Sequence, residues 1–201
     1  MHLQICEDLI RKYGLGLKTP TAAEFMKLSR SGAVLNPMKA FFKTVGFAEQ
    51  DAERATQYYR ENFAGQYPPI IFPFVEDLLR SLRKSGLSLG IVTANVRVNV
   101  EPALGSLWSL FDTRLVYTYD HATEWTKAKA LNAGVQQLAV TPNDVVFVGD
   151  QLADRDAAQQ AGVRFVGVTY GWGISRDDRG FDTVHDPREL AVYLLNGEEQ
   201  S

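Results

Sequence analysis

Residues 145–168 read VVFVGDQLADRDAAQQAGVRFVGV and contain a strand, a helix and a second strand in succession. Two short apolar runs, at 145–148 and 165–168, flank a helical segment at 154–161. A helix between two buried strands is the connection that neighbouring parallel strands require. The stretch therefore predicts a βαβ unit within a parallel sheet.

The same alternation extends from residue 75 to this unit. Further strands are expected at 87–92 and 114–117, and the segments around them show the spacing of helices, at 75–86, 96–110 and 126–138. Short apolar strands separated by helices predict an α/β fold with a Rossmann-like parallel sheet and helices on both faces. Ligands of such sheets lie beyond the carboxyl ends of the strands.

The chain before residue 66 shows helical patterns only. We predict helices at 3–13, from Thr21 as N-cap, from Asn36-Pro37, and at 49–63. A proline-rich segment, Tyr67-Pro68-Pro69-Ile70-Ile71-Phe72-Pro73, then interrupts the periodicity and is typical of a linker. These patterns predict an N-terminal helical domain at 1–68 and an α/β domain at 69–201.

Composition excludes several classes of protein. With 21 basic and 24 acidic residues the net charge is −3, so no broad cationic surface for nucleic acid or a membrane is expected. No apolar run reaches the roughly 20 residues that span a bilayer. The single cysteine, Cys6, excludes an internal disulfide and any multi-cysteine zinc site. We expect a cytoplasmic protein.

Acidic residues follow the strand at 145–148. The strand is followed directly by Gly149 and Asp150, and Asp154 comes four residues after Asp150. Carboxylates at a strand-to-helix turn are suitable ligands for Mg²⁺, which typically takes one or two of them together with phosphate and water. The alternative is structural, with Asp150 ending the strand and Asp154 capping the next helix.

Two other positions, a strand end and a helix start on the same edge of the sheet, carry candidate site residues. Thr93 ends the strand at 87–92, where its hydroxyl and the neighbouring amides face the same edge of the sheet. Lys127 lies in the first turn of a helix, where a cation opposes the helix dipole, and it could neutralise a phosphate as a compact charge. A purely structural Thr93 and a solvated Lys127 are the alternatives, and Lys129 competes for the same role.

Taken in order, these residues resemble motifs two, three and four of the haloacid dehalogenase superfamily. Thr93 corresponds to motif two, Lys127 to motif three, and the turn from Gly149 to Asp154 to motif four. The turn at 168–173, VTYGWG, is similar to that of phosphoglycolate-phosphatase-like members. The resemblance covers residues 70 to 190, and the helical domain corresponds to a cap in position and composition.

The resemblance implies a Mg²⁺-dependent phosphatase that acts on a small phosphorylated metabolite through a phospho-aspartate. It implies that Thr93, Ala94, Asn95 and Lys127 bind the phosphoryl group, with Thr93 and Lys127 catalytic, and that the metal is held by Asp150 and Asp154. A dehalogenase fits these residues less well than a phosphatase. The expected assembly is a monomer or a homodimer.

The chain departs from the family at motif one. No apolar strand ending in Asp-x-Asp occurs before residue 20 or elsewhere, so neither the nucleophile nor its partner aspartate is present. In the family this strand lies between the strands that correspond to 145–148 and 87–92, and its loss leaves two unpaired edges. The two halves could close up, another segment could fill the place, or the chain could be the remainder of a longer protein, which we favour.

Two further functions stay open. The first is a non-catalytic haloacid-dehalogenase-like protein that binds a phosphorylated ligand or a protein partner with the remaining residues. The second is a nucleotide-binding doubly wound protein. No Gly-x-Gly-x-x-Gly or Walker-type loop follows any predicted strand, which argues against nucleotide binding.

Overall fold

The computed structural model describes residues 2–31, 38–67, 69–121 and 124–196. Its helices and strands are, in order, α1 His2–Tyr13, α2 Ala22–Arg30, α3 Met38–Val45, α4 Glu49–Gln66, α5 Val75–Lys84, β1 Ile91–Val92, α6 Arg97–Leu104, β2 Val116–Tyr117, α7 Lys127–Leu138, β3 Val146–Gly149, α8 Leu152–Ala161, β4 Arg164–Val168, β5 Asp182–Val184 and α9 Pro187–Asn196. This is an α/β fold with parallel sheets flanked by helices. None of the described helices is long and apolar enough to cross a membrane.

The chain forms two compact units. The first contains the residues up to Ile70 together with Val98–Ala103, and the second contains Ile71–Arg97 and the residues from Leu104 onward. Segment Val98–Ala103 lies in a region that the sequence assigns to the α/β domain. Apart from this segment, the first unit ends at Ile70, two residues after the domain boundary that the sequence predicts at residue 68.

The first unit is held by an aromatic core. Its fully buried side chains come from α1, α3 and α4 and include Ile5, Cys6, Leu9, Phe41, Phe42, Ala52 and Ala55. Burial raises the pKa of the Cys6 thiol to about 12, so this cysteine is a packing residue at neutral pH.

The predicted N-cap of α2 is confirmed. Glu24 N–H donates to Thr21 Oγ1 at 3.2 Å, and Thr21 N–H donates to Glu24 Oε2 at 2.7 Å. Each residue thus satisfies a backbone donor near the start of the helix, which is a capping box. The helix start predicted at Asn36-Pro37 lies outside the described residues.

The second unit contains two parallel sheets instead of one. Strands β1 and β2 pair with Ile91 opposite Val116, and β3, β4 and β5 form a second sheet in that order. Within residues 69–121 and 124–196, no backbone ladder joins β1 to β3. Of the three alternatives left open by the sequence, closure of the two halves by direct strand pairing is therefore not what the described residues show.

The two sheets nevertheless share both layers of helices. Val92 of β1 and Phe147 of β3 pack into one apolar cluster with residues of α7 and α8. On the other side, Leu89 and Val148 pack into one cluster with residues of α5 and α9. Strands β1 and β3 thus pack against the same two sets of helices without a backbone ladder between them in the described residues, and we call the place between them the slot.

Several predicted elements are shorter in the structure. Only Ile91–Val92 of the strand expected at 87–92 is in a ladder, and before it Leu89 O accepts the N–H of Asp112 at 2.9 Å outside any strand. The strand expected at 114–117 is limited to Val116–Tyr117 because Thr113–Leu115 forms a 3₁₀ turn. Strand β5 and helix α9 were not predicted.

The helix expected at 96–110 changes form along its length. Its α-helical part is Arg97–Leu104, and Gly105–Leu110 continues as a 3₁₀ helix. Pro102 lies inside the α-helical part and cannot donate a backbone hydrogen bond. Gly105 then has a φ of +52°, in the left-handed region, which ends the regular helix.

Candidate functional site

The turn from β3 into α8 brings two carboxylates and a glycine together. Asp150 follows the last residue of β3, and Asp154 lies in the first turn of α8. A Cβ added to Gly149 would lie 2.6 Å from Asp154 Cβ, closer than such atoms approach. The helix therefore packs directly on the backbone of the strand end, as the glycine at 149 predicts.

Asp154 is buried and fully engaged. Its residue is only 3% exposed. Oδ2 accepts the backbone N–H of Gln151 at 3.1 Å, which caps α8, and Oδ1 forms an ion pair with Lys127. A carboxylate removed from water needs such partners to remain charged, so Asp154 joins the helix cap to the lysine.

The geometry distinguishes the two candidate lysines. Thr126 caps α7 by accepting the N–H of Lys129 at 3.1 Å. From the same first turn, the Lys127 ammonium contacts Asp154, whereas the Lys129 ammonium contacts the exposed Glu124 at 2.9 Å. Lys127 is therefore the lysine that the structure brings to the carboxylates.

Asp150 is held by a turn that follows β4. The backbone N–H of Trp172 donates to Asp150 Oδ2 at 2.8 Å, and that of Gly173 donates to Asp150 O at 2.9 Å. The side-chain amide of Gln151 also donates to Asp150 Oδ2, at 3.4 Å. Within the described segments Oδ1 of Asp150 accepts no hydrogen bond, so this oxygen is available to a ligand.

Residues 93–95 form a bend at the carboxyl end of β1. Thr93 N–H donates to Tyr117 O at 3.0 Å, which continues the β1–β2 ladder. Thr93 Oγ1 accepts the N–H of Asn95 at 3.1 Å, and Asn95 Oδ1 accepts that of Val96 at 2.8 Å. Ala94 lies half-buried between them. The Thr93 hydroxyl proton can still be donated to a further acceptor.

The structure thus brings some predicted residues into contact and not others. Lys127 and Asp154 are in contact, and Asp150 shares their strand-to-helix turn. Among the described residues, no hydrogen bond joins Thr93 to Lys127, Asp150 or Asp154. The Thr93 bend and the acidic turn belong to separate sheets, on the two sides of the slot.

The acidic turn fits Mg²⁺ as a partial set of ligands. In the described parts of the chain, no group of three or more His, Cys, Asp or Glu residues could enclose a metal. Mg²⁺ does not need one, because it is usually bound by one or two carboxylates with substrate phosphate and water. The free Oδ1 of Asp150 meets this requirement, while both oxygens of Asp154 are already engaged.

The sequence did not predict that residues 169–174 would contact the site. Tyr170 of this segment contacts Phe72 edge to face, with 5.3 Å between ring centroids. Burial, aided by the charges of Asp186 and Asp150, raises the pKa of Tyr170 to about 12, so its hydroxyl stays protonated at neutral pH. The pair of glycines around Trp172 was the only local signal of a close backbone approach.

Comparison with known proteins points to one family. Residues 2–168 match the family described as haloacid dehalogenase-like hydrolase. The chain is 31% identical to phosphoglycolate phosphatase of Pseudomonas putida over 73% of its length. It is 32% identical to the phosphoglycolate phosphatase of Salmonella paratyphi A over 72%. It covers only 56% and 64% of these two relatives, less than two thirds of their length.

Other matches carry different names. An N-acetylmuramic acid 6-phosphate phosphatase of Pseudomonas aeruginosa is 31% identical over 60% of this chain and 55% of its own length. Among solved structures, a haloacid dehalogenase-like hydrolase from Streptococcus pneumoniae superposes with a TM-score of 0.76 at 22% identity, covering 96% of this chain and 89% of its own. Protein tyrosine kinase A of Mycobacterium tuberculosis superposes with a TM-score of 0.72 at 22% identity, with the same coverage. These two structures share the fold.

Proposed function

The chain belongs to the haloacid dehalogenase-like hydrolase family, and on this premise we propose that it serves Mg²⁺-dependent hydrolysis of a small phosphomonoester. The observation that carries the proposal is the contact of Lys127 with the buried Asp154, beside the open oxygen of Asp150. One cationic and two anionic groups at a strand end can bind a phosphate together with its counter-ion.

We assign the phosphate to the cationic and neutral donors of the site. The Lys127 ammonium, oriented by Asp154, offers two further N–H bonds to phosphate oxygens. The Thr93 hydroxyl, whose oxygen already accepts from Asn95 N–H, offers its proton. Ala94 and Asn95 complete this group as the neighbouring residues of the bend. Fixed donors of this kind stabilise charge that develops on a phosphoryl group.

We assign the metal to Asp150 through Oδ1. Bound there, Mg²⁺ would neutralise part of the phosphate charge. Asp154 would act on this site through its neighbours, because its two oxygens already bind the Lys127 ammonium and the backbone N–H of Gln151. This refines the pair of ligands that the sequence predicts into one ligand and one positioning residue.

The proposed reaction needs a carboxylate nucleophile. A carboxylate oxygen would attack phosphorus as the bond to the substrate alcohol breaks, and water would then hydrolyse the phospho-aspartate to inorganic phosphate. No Asp-x-Asp motif after an apolar strand occurs in the 201 residues. The proposal therefore assigns the nucleophile to none of them and expects it from a strand placed in the slot.

The missing motif favours a second candidate function. A chain with a phosphate-binding site and no nucleophile could bind a phosphorylated metabolite or a phosphorylated partner without turning it over. The names of the relatives, a phosphoglycolate phosphatase and a sugar-phosphate phosphatase, support a small phosphomonoester as the ligand in either case.

The test compares the chain with two fusions. One adds an apolar strand ending in Asp-x-Asp before residue 1, and the other adds the same strand ending in Asn-x-Asn. We expect the chain alone and the Asn fusion to hydrolyse p-nitrophenyl phosphate negligibly, and the Asp fusion to hydrolyse it in the presence of Mg²⁺.

Calorimetric binding of inorganic phosphate separates the two candidates. Phosphate binding by the chain, together with an inactive Asp fusion, would favour the non-catalytic function. Equal hydrolysis by the chain and by the Asp fusion would overturn the nucleophile argument. Failure of all three proteins to bind phosphate would overturn both candidates.

A further inference from the structure

We propose that the turn formed by residues 171–173 positions the Asp150 carboxylate and thereby sets how tightly the site binds a divalent cation. We call these residues, Gly171, Trp172 and Gly173, the clamp turn. The inference rests on the proposed function, which makes Asp150 the direct ligand. It adds a positioning role for this segment, to which the sequence assigns no role in the proposed phosphatase reaction.

The clamp turn holds Asp150 at two points. Trp172 N–H donates to Oδ2 at 2.8 Å, and Gly173 N–H donates to the main-chain oxygen of Asp150 at 2.9 Å. Consecutive amides from a segment 22 residues away thus hold both the side chain and the backbone of one residue. An amide bonded to a carboxylate forms a charge-assisted hydrogen bond, which is stronger and more restrictive than a neutral one.

The two glycines allow this approach through their lack of a side chain. A Cβ at Gly171 would overlap Cβ and Oδ2 of Asp150. A Cβ at Gly173 would lie 2.8 Å from Gln151 Oε1 and 2.9 Å from Asp150 O. Neither glycine has a positive φ, so the requirement is space beside Asp150 and not an unusual backbone conformation.

The clamp turn is itself anchored on both sides. On its N-terminal side Tyr170 packs against Phe72, and on its C-terminal side Ile174 is almost fully buried, at 1% exposed. With the turn fixed and Oδ2 occupied, rotation of the Asp150 carboxylate is restricted, and Oδ1 is presented in one direction. Such outer contacts orient metal ligands and affect metal affinity strongly.

The first experiment removes the space. Mn²⁺, which also prefers carboxylate oxygen, is titrated into the protein, and free Mn²⁺ is counted by electron paramagnetic resonance. We expect Gly171→Ala to weaken Mn²⁺ binding by about tenfold or more. The matched control is Gly134→Ala in α7, where the added Cβ would meet only Tyr117 at an ordinary 3.7 Å. The control should bind within about twofold of the wild type.

The second variant separates the amide from the indole. Trp172→Phe keeps the backbone N–H that donates to Asp150 and removes the indole. We expect its Mn²⁺ affinity to stay within about twofold of the wild type. A loss as large as that of Gly171→Ala would assign the effect to the indole and overturn the positioning role of the backbone.

A third measurement needs no metal and does not depend on how well Gly171→Ala folds. Amide hydrogen exchange at Trp172 should be slow in the wild type and about tenfold or more faster in Asp150→Ala, which removes the acceptor. Equal exchange in the two proteins would overturn the inference. Wild-type affinity in Gly171→Ala would overturn it too and leave the proposed function intact, whereas a wild type that binds no Mn²⁺ would overturn the metal assignment on which both depend.

Discussion

Asp154 shows how one side chain can serve both the fold and the site. Its Oδ2 accepts the backbone N–H of Gln151 at the start of α8, and its Oδ1 forms an ion pair with the Lys127 ammonium of α7. Asp150, four residues earlier, accepts hydrogen bonds on Oδ2, and its Oδ1 accepts none from the described residues. Two carboxylates of the same turn therefore differ in their hydrogen-bond partners, and this difference is the basis of the separate roles that we propose for them.

Removal of the Lys127 ammonium should destabilise the second unit. In Lys127→Met the buried Asp154 loses a charged partner, and leaving such a group unsatisfied costs about 1–3 kcal/mol in the free energy of unfolding. Urea unfolding followed by tryptophan fluorescence measures this loss, since Trp108, Trp125 and Trp172 all lie in the second unit.

The matched control for this change is Lys129→Met, in the same turn of α7. The Lys129 ammonium pairs with the exposed Glu124, and surface ion pairs contribute less than about 1 kcal/mol. If both variants unfolded at the same urea concentration, the contact between Lys127 and Asp154 would not stabilise the fold.

His2 should make the stability of the first unit depend on pH. Its ring stacks on Phe63, with 5.5 Å between centroids. Burial, together with the charge of the amino terminus, lowers its pKa from 6.5 to about 4. A lowered folded-state pKa gives stability that is present above pH 6.5 and is lost as the pH falls toward 4, by up to about 3 kcal/mol.

Thermal unfolding followed by far-UV circular dichroism tests this pH dependence. The midpoint of the wild type should fall more steeply between pH 7 and pH 4.5 than that of His2→Phe, which keeps an aromatic ring and cannot titrate. Parallel pH profiles for the two proteins would remove His2 as the source.

At the scale of elements, the strands differ in how many partners they have. Strand β4 lies between β3 and β5, whereas β1 and β3 each pair on one edge only within the described residues. All four residues of β3 are half-buried, although the last three of β4 are buried. The apolar run at 145–148 therefore belongs to a strand that pairs on one edge only and is less buried than its neighbour β4.

Amide hydrogen exchange should reveal the open edges. Those amides of Val146–Gly149 that point away from β4 should exchange roughly tenfold or more faster than the amides of Val166 and Gly167, because no ladder protects them. Residue-resolved exchange by NMR measures the difference. Equal protection on β3 and β4 would mean that the slot is filled in solution, for example by a second chain.

At the scale of the whole molecule, the features that could be predicted are those set by local chemistry. The N-cap role of Thr21 and the βαβ unit at 145–168 each depend on residues close in sequence, and both are confirmed. The predicted length of β1, residues 87–92, was wrong because a strand persists only where a neighbouring strand pairs with it, and here only Ile91–Val92 is paired in this way. Strand β5 has three residues, too few to show a periodic pattern.

The same distinction applies to the site. The order of Thr93, Lys127, Asp150 and Asp154 along the chain indicates the strand ends and helix starts where they lie, but not which atoms are in contact. The choice of Lys127 over Lys129 depends on the direction of two side chains from one turn of α7. The bond from Trp172 to Asp150 joins residues on separate loops, and no local pattern encodes it.

The slot also has a mechanical consequence. A pull along the strands of either sheet must shear the hydrogen bonds of its ladder together. Across the slot the described strands share no such bonds and are connected through side chains of the helices above and below, including the contact between Lys127 and Asp154. Under load the second unit should come apart first at the slot, with the β1–β2 sheet separating from the sheet of β3, β4 and β5.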